Sequence, residues 1–238
     1  MIQTLCRCVG TSLLLGSVTV SLVVAQTPPT SEPAAAKPAE PKESAKPAEP
    51  AKADDAAAGT ALFNGRNLDG WEVSKFGGGG EIYVEDGQIV LDFGASLTGI
   101  RYRGEVPPSN YELSLEGQRS DGTDFFCALT FPVGQEHCSL ILGGWGGAVV
   151  GLSSIDGKDA SENDTTQYIG FKKGQWYSVK VRVTDERIQV ELDGKQIIDQ
   201  ARAEHRFSVR REVDLSRPLG IAAWETRARI RNIRLRKL

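Results

Sequence analysis

A tryptophan stands between two glycine pairs in Gly143-Gly144-Trp145-Gly146-Gly147. Strand stability cannot explain the arrangement, because glycine weakens a strand. Glycines beside an aromatic ring let a backbone or a flat ligand come close, and indole faces stack on the apolar faces of sugar rings. Trp145 is therefore a candidate sugar platform; the alternative is a side chain packed under a glycine-rich crossover. Trp224, at the end of Leu219-Gly220-Ile221-Ala222-Ala223-Trp224, is a second aromatic candidate. Shortly after Trp145 come four carboxylates, Asp156, Asp159, Glu162 and Asp164, with Asn163 among them. Clustered oxygens suit a divalent cation such as calcium. The spacing is not that of an EF-hand, and a solvated acidic loop is the other reading. A second acidic pair, Asp121 and Asp124 with Arg119 just before it, opens the strand that begins at Phe125.

Other chemistries lack their patterns. The two histidines are His137, in a hairpin turn, and His205, in a polar segment. Both read as solvated turn residues. No serine or cysteine sits in a nucleophile elbow, and His-x-x-x-His, Cys-x-x-Cys and phosphate-loop motifs are missing. A net charge of −3 over 238 residues gives no field that would draw a nucleic acid.

The elements that must position these residues read as strands. Two-residue alternation recurs at 88–93, 111–117, 125–131, 138–142, 176–183 and 187–193. Asp86-Gly87, Asp121-Gly122, Asp156-Gly157 and Asp193-Gly194 supply turns between them. The one helical candidate is the short stretch 197–207. Many strands with almost no helix predict an all-β, antiparallel sandwich. Along 125–131 the alternation puts Phe125, Cys127, Leu129 and Phe131 on one face, with Phe126, Ala128 and Thr130 on the other. With the turn at Pro132-Val133-Gly134, Cys127 falls nearly opposite Cys138 on the core side. A cross-strand disulfide is the expectation, and two reduced buried cysteines are the alternative. Tyr177, Val179, Val181, Val183, Ile188, Val190 and Leu192 are expected inside. Near Arg231-Asn232 the apolar side changes face, which predicts a bulge.

Ahead of this domain, residues 1–25 read as a signal peptide: one early charge, Arg7, then an uncharged apolar run ending in small residues. An uncleaved anchor is the alternative. Residues 26–59 repeat Lys-Pro-Ala-Glu-Pro units that bury no apolar surface, so they form an extended linker. Residues 60–238 make one domain. Export to the periplasm, the cell surface or the medium follows as an expectation.

The segment Leu62-Phe63-Asn64-Gly65-Arg66-Asn67-Leu68-Asp69-Gly70-Trp71 combines an apolar pair, two Gly-marked turns and a tryptophan. It predicts a short strand, a turned segment and a buried Trp anchor. Together with the final strand, Ala228 to Leu238, it resembles the 3-keto-disaccharide hydrolase domain family. That resemblance implies a jelly-roll sandwich of the concanavalin A-like lectin/glucanase type and a carbohydrate partner. It also implies a reaction on glycosides oxidised at the sugar 3-position, where the ketone acidifies the neighbouring C–H and a base starts elimination. Asp124, Glu225 and His137 are then the candidate bases, with Arg119 and Arg101 as electrophilic helpers. The chain departs from the family where Asp124-Phe125-Phe126 replaces Asn-Ser-Gly and where 138–143 lacks the usual polar triplet. The rival reading is a non-catalytic, lectin-like module in which Trp145 and Trp224 stack on sugar while Asp121, Asp124 and Asn163 bond its hydroxyls.

Overall fold

The computed structural model describes residues 59–238. The expected signal segment 1–25, and the expected linker 26–59 except its last residue, lie outside the described residues. Among the described residues, fifteen strands follow one another. They begin with β1 (Thr60–Ala61), β2 (Trp71–Val73), β3 (Ile82–Glu85), β4 (Gln88–Leu91) and β5 (Leu97–Tyr102). Then come β6 (Tyr111–Gly122), β7 (Cys127–Val133), β8 (Glu136–Gly144), β9 (Val149–Ser153) and β10 (Gln167–Tyr168). The last five are β11 (Trp176–Val183), β12 (Arg187–Leu192), β13 (Lys195–Ala201), β14 (Gly220–Trp224) and β15 (Thr226–Lys237). A 3₁₀ segment, Arg211–Ser216, lies between β13 and β14. All pairings are antiparallel.

Two sheets result. The first runs β13-β12-β11-β6-β15-β4-β3, with β1 added beside β15; the second runs β10-β9-β8-β7-β14-β5-β2. This is the expected all-β jelly-roll sandwich. Alternation places Leu113, Leu115, Val179, Val181, Ile188, Val190 and Ile230 of the first sheet against Leu129, Phe131, Leu140, Leu142, Leu152 and Ile221 of the second. The Tyr111 hydroxyl donates across this core to Pro132 O at 2.5 Å. Asp86-Gly87 and Asp193-Gly194 both turn with positive φ at the two central residues, the geometry that matches the twist of a two-residue hairpin. Register shifts between Arg231 and Arg234, with Asn232 at φ +55°, form the expected bulge. In the opening segment, Trp71 is buried and its Nε1–H donates to Leu62 O at 2.8 Å, while Asn64 Oδ1 accepts from the N–H groups of Arg66 and Asn67.

Three local expectations are corrected. Residues 197–207 form no helix; they supply most of β13 and then a turn. The β7–β8 turn is tighter than expected, pairing Val133 with Glu136. Cys127 therefore faces Leu142 and Cys138 faces Phe131, four positions apart, and both thiols are free and buried. Burial pushes each thiol up to about 12. Finally, the two phenylalanines exchange faces. Phe126 donates its N–H to Leu142 O although Cys127 is the register partner of Leu142, so two residues of one strand oppose one of the next. That irregularity sends Phe126 into the core against Phe171 and Tyr177, and turns Phe125 outward.

The outer face of the second sheet is not bare. Leu97, Ala128, Ile141, Val149 and Ala222 on that face form a smaller apolar cluster with Ala160 and Val213, which come from the covering segments. Val209, Phe125 and Trp224 pack at its margin.

Candidate functional site

A cleft of about 220 Å³ remains at one end of that outer face. Its apolar wall is made by Trp145, Trp224, Phe125, Leu97, Ile141 and Val213. Trp145 rides on the β8–β9 connection, Phe125 precedes β7 and Trp224 ends β14, so three strand ends converge on one mouth. Arg210 and Glu212 form the opposite rim, and Ser139 and Ser153 lie on the floor.

Trp145 adopts φ +48°, a left-handed conformation that costs energy in a residue with a bulky side chain, and the residue is 44% exposed. The loop is held by a carboxylate. Asp124 Oδ2 accepts from Gly146 N–H at 3.1 Å, and its Oδ1 accepts from Phe125 N–H at 2.7 Å. Behind the loop lies Arg119, only 8% exposed. Its guanidinium donates to Phe171 O at 2.7 Å, Gly147 O at 3.4 Å and Asp124 O at 3.5 Å. A side chain at Gly147 would meet Thr123 O at 2.6 Å and Arg119 Nη1 at 2.8 Å, so the glycine is needed for close approach. Asp124 and Arg119 thus serve as positioning groups: they fix the indole in its strained turn.

Arg210 sits 6.0 Å from the centroid of the Trp145 ring. It donates to Asp159 at 2.7 Å and Glu212 at 3.1 Å. The hydrogen bond from Arg210 holds the Glu212 carboxyl below the ordinary carboxylate range, and the same contact raises Arg210.

The other sequence candidates lie apart from the cleft. Glu225 is exposed and absent from the lining. His137 and Arg101 share a separate hollow with Asp214, Leu215, Arg217 and Pro218. Burial, then the Arg217 charge, lowers the His137 pKa; Arg101 pairs with Glu72. Asp121 pairs with Lys173, whose hydrogen bond lowers its pKa. Asn163 braces its own loop, donating to Leu152 O and Asp159 O at 2.7 Å and accepting from Thr165. In the acidic loop, Asp156 bonds His205 and Arg206, while Asp159 bonds Ser161 and Arg210. Among the described residues no three His, Cys, Asp or Glu side chains come together to hold a metal.

Of the sequence candidates, the cleft collects Trp145, Trp224 and Asp124. Sequence reading missed Arg210, Glu212, Val213, Ser139 and Ser153. The short charged run before Pro218 carries no periodicity that would place it over a sheet. Ser139 and Ser153 could have been found from their positions facing away from core residues on adjoining strands.

The family model for the 3-keto-alpha-glucoside-1,2-lyase-like domain matches residues 58–236. The chain belongs to that family. This lyase-like domain is accordingly a carbohydrate-active family domain. Among curated proteins, no relative matches it by sequence. Similar solved structures include a candidate glycosyl hydrolase of Parabacteroides distasonis, 16% identical, with TM-score 0.49 and coverage of 76% of this chain and 95% of that one. Another is the carbohydrate-binding module CBM66 of Bacillus subtilis, 15% identical, with TM-score 0.49 and coverage of 71% and 96%.

Proposed function

We propose that the lyase-like domain is a non-catalytic glycan-binding module that stacks a sugar ring on Trp145 and Trp224. One observation carries this: two indoles, Trp145 exposed and Trp224 half-buried, line the cleft while its carboxylate Asp124 is already engaged by two backbone N–H groups. Elimination from a 3-keto-glycoside needs a base within about 2.6–3.2 Å of the proton it removes. Glu212, the remaining carboxylate of the lining, is paired with Arg210 and so is a weak base, and neither His137 nor His205 lines the cleft. The arrangement offers stacking surface and hydroxyl-reading groups without a free base. The family description names a 3-keto-α-glucoside, which makes α-glucosides and their 3-keto forms the first sugars to try. Residues 1–25 and 26–59 fit an exported protein whose linker holds the module away from its point of attachment; N-terminal sequencing of the mature protein tests this.

The deciding experiment measures binding of an α-glucoside series by calorimetry, alongside incubation with a 3-keto-α-glucoside. Binding is expected without release of sugar. Because Trp145 is 44% exposed and lies outside the apolar core, Trp145→Ala should weaken binding about tenfold, or ~1.4 kcal/mol, with a nearly unchanged melting temperature. Turnover by the wild-type protein would overturn the non-catalytic reading; absence of binding across the series would overturn the module itself.

A further inference from the structure

Resting on the glycan-binding reading, we infer that the cleft admits the terminal ring of a glycan chain and reads one of its hydroxyls through Ser153, rather than seating an interior stretch. The path that an interior stretch would follow, across the outer face of the second sheet, is filled by the protein. Val213 of the 3₁₀ segment packs with Leu97, Ala128 and Ala222. Ser216 presses on the sheet at Gly220, where an added Cβ would come within 2.6 Å of Ser216 O. On the other side Ala160 covers Gly151, where a Cβ would meet Ala160 O at 2.7 Å. The strap entering the 3₁₀ segment is stitched to the end of β9 by reciprocal backbone bonds between Ser154 and Ser208. Arg210 ties the two covers together through Asp159 and Glu212. Among the described residues, then, the mouth at Trp145 leads to a floor and not to a channel across the sheet.

The floor carries a row of hydroxyls. Thr130, Ser139 and Ser153 are register partners across β7, β8 and β9, all facing away from the core. The first two satisfy each other at 2.8 Å. Ser153 Oγ is buried, lines the cleft and has no hydrogen-bond partner in the protein. Burying a hydroxyl without a partner is unfavourable. A sugar hydroxyl brought down from a ring stacked on the indoles would supply that partner, and with Arg210 across the mouth only a chain end can reach so deep.

The test uses the full chain with the series from glucose to maltoheptaose, together with amylose. End reading predicts affinity that stops rising after the first or second unit, and amylose saturation that follows the number of chain ends. Affinity that climbs with every added unit, or saturation that follows amylose mass, overturns end reading and leaves the binding module standing. No binding by any member removes the underlying reading instead. Ser153→Ala supplies the second readout: affinity should fall about five- to tenfold, with a melting temperature unchanged or raised because an unpaired buried hydroxyl is gone. Unchanged affinity, or a lowered melting temperature as the sole effect, makes Ser153 a structural hydroxyl and overturns its role.

Discussion

Replacing Arg119 with alanine tests whether this side chain is a clamp or a catalyst. The guanidinium reaches from the inner face of β6 to carbonyls of three separate connections, at Asp124, Gly147 and Phe171. The 2.7 Å bond to Phe171 O is charge-assisted and contributes about 1.5–3 kcal/mol. The two contacts at 3.4 and 3.5 Å are long, together worth about 1 kcal/mol. A loss near 3 kcal/mol lowers the unfolding midpoint of a domain this size by about 6–12 °C. Differential scanning calorimetry reads that shift, and the near-ultraviolet dichroism of the tryptophans should weaken in parallel as the Trp145 loop loosens. Arg119→Lys should recover only part of the loss, since one ammonium cannot span three carbonyls arranged around a planar fork. If Arg119→Ala melts within about 2 °C of the parent yet abolishes a reaction on a keto-glycoside, the clamp reasoning is wrong.

Three further outcomes follow from the core and its charges. Phe126→Ala removes a fully buried ring from the cluster with Phe171 and Tyr177, and should cost about 3–5 kcal/mol in urea unfolding. Cys127 and Cys138 should resist a thiol reagent in the native state and react only on unfolding. Because their folded pKa values are raised to about 12 from 9.0, stability is intact below pH 9 and should fall as pH climbs from 9 toward 12. Asp92 and Glu212 behave oppositely: hydrogen bonds from Arg227 and Arg210 depress them, so their contribution is present above the ordinary carboxylate pKa and lost as pH falls below about 4. Asp92→Asn should flatten that acid limb of the stability profile.

How much could be read from the residues depended on how local the signal was. Alternation along β11 and β12 is set by neighbours two apart, so the inward positions Tyr177 to Leu192 were legible. The slip at Asn232 was legible for the same reason, since a bulge leaves its mark as a break in a simple period. Register was harder. Moving the centre of the β7–β8 turn by about two residues carried Cys127 four positions away from Cys138, and nothing in the spacing alone places that turn at Gly134. The swap of Phe125 and Phe126 is set by an irregularity in β7 that needs its partner strand to be seen. The cleft required still longer range. Arg210 and Val213 reach it through a strap whose course depends on Ala160, Gly151 and Gly220, residues with no chemistry to advertise. Trp145 stood out because its glycines made no sense for a strand, and the structure gives the reason: the loop is strained, clamped and open to solvent.

The placement of β15 bears on how the domain is made. This last strand lies between β6 and β4, and also carries β1 along its length. Until synthesis has run past residue 237, β6 and β4 have no neighbour between them, and their backbone edges stay exposed. Those open edges leave the partly made domain vulnerable to sticking to other chains until residues 226–237 have taken their place. A premature stop that removed only the final dozen residues would not trim the domain; it would split its first sheet in two.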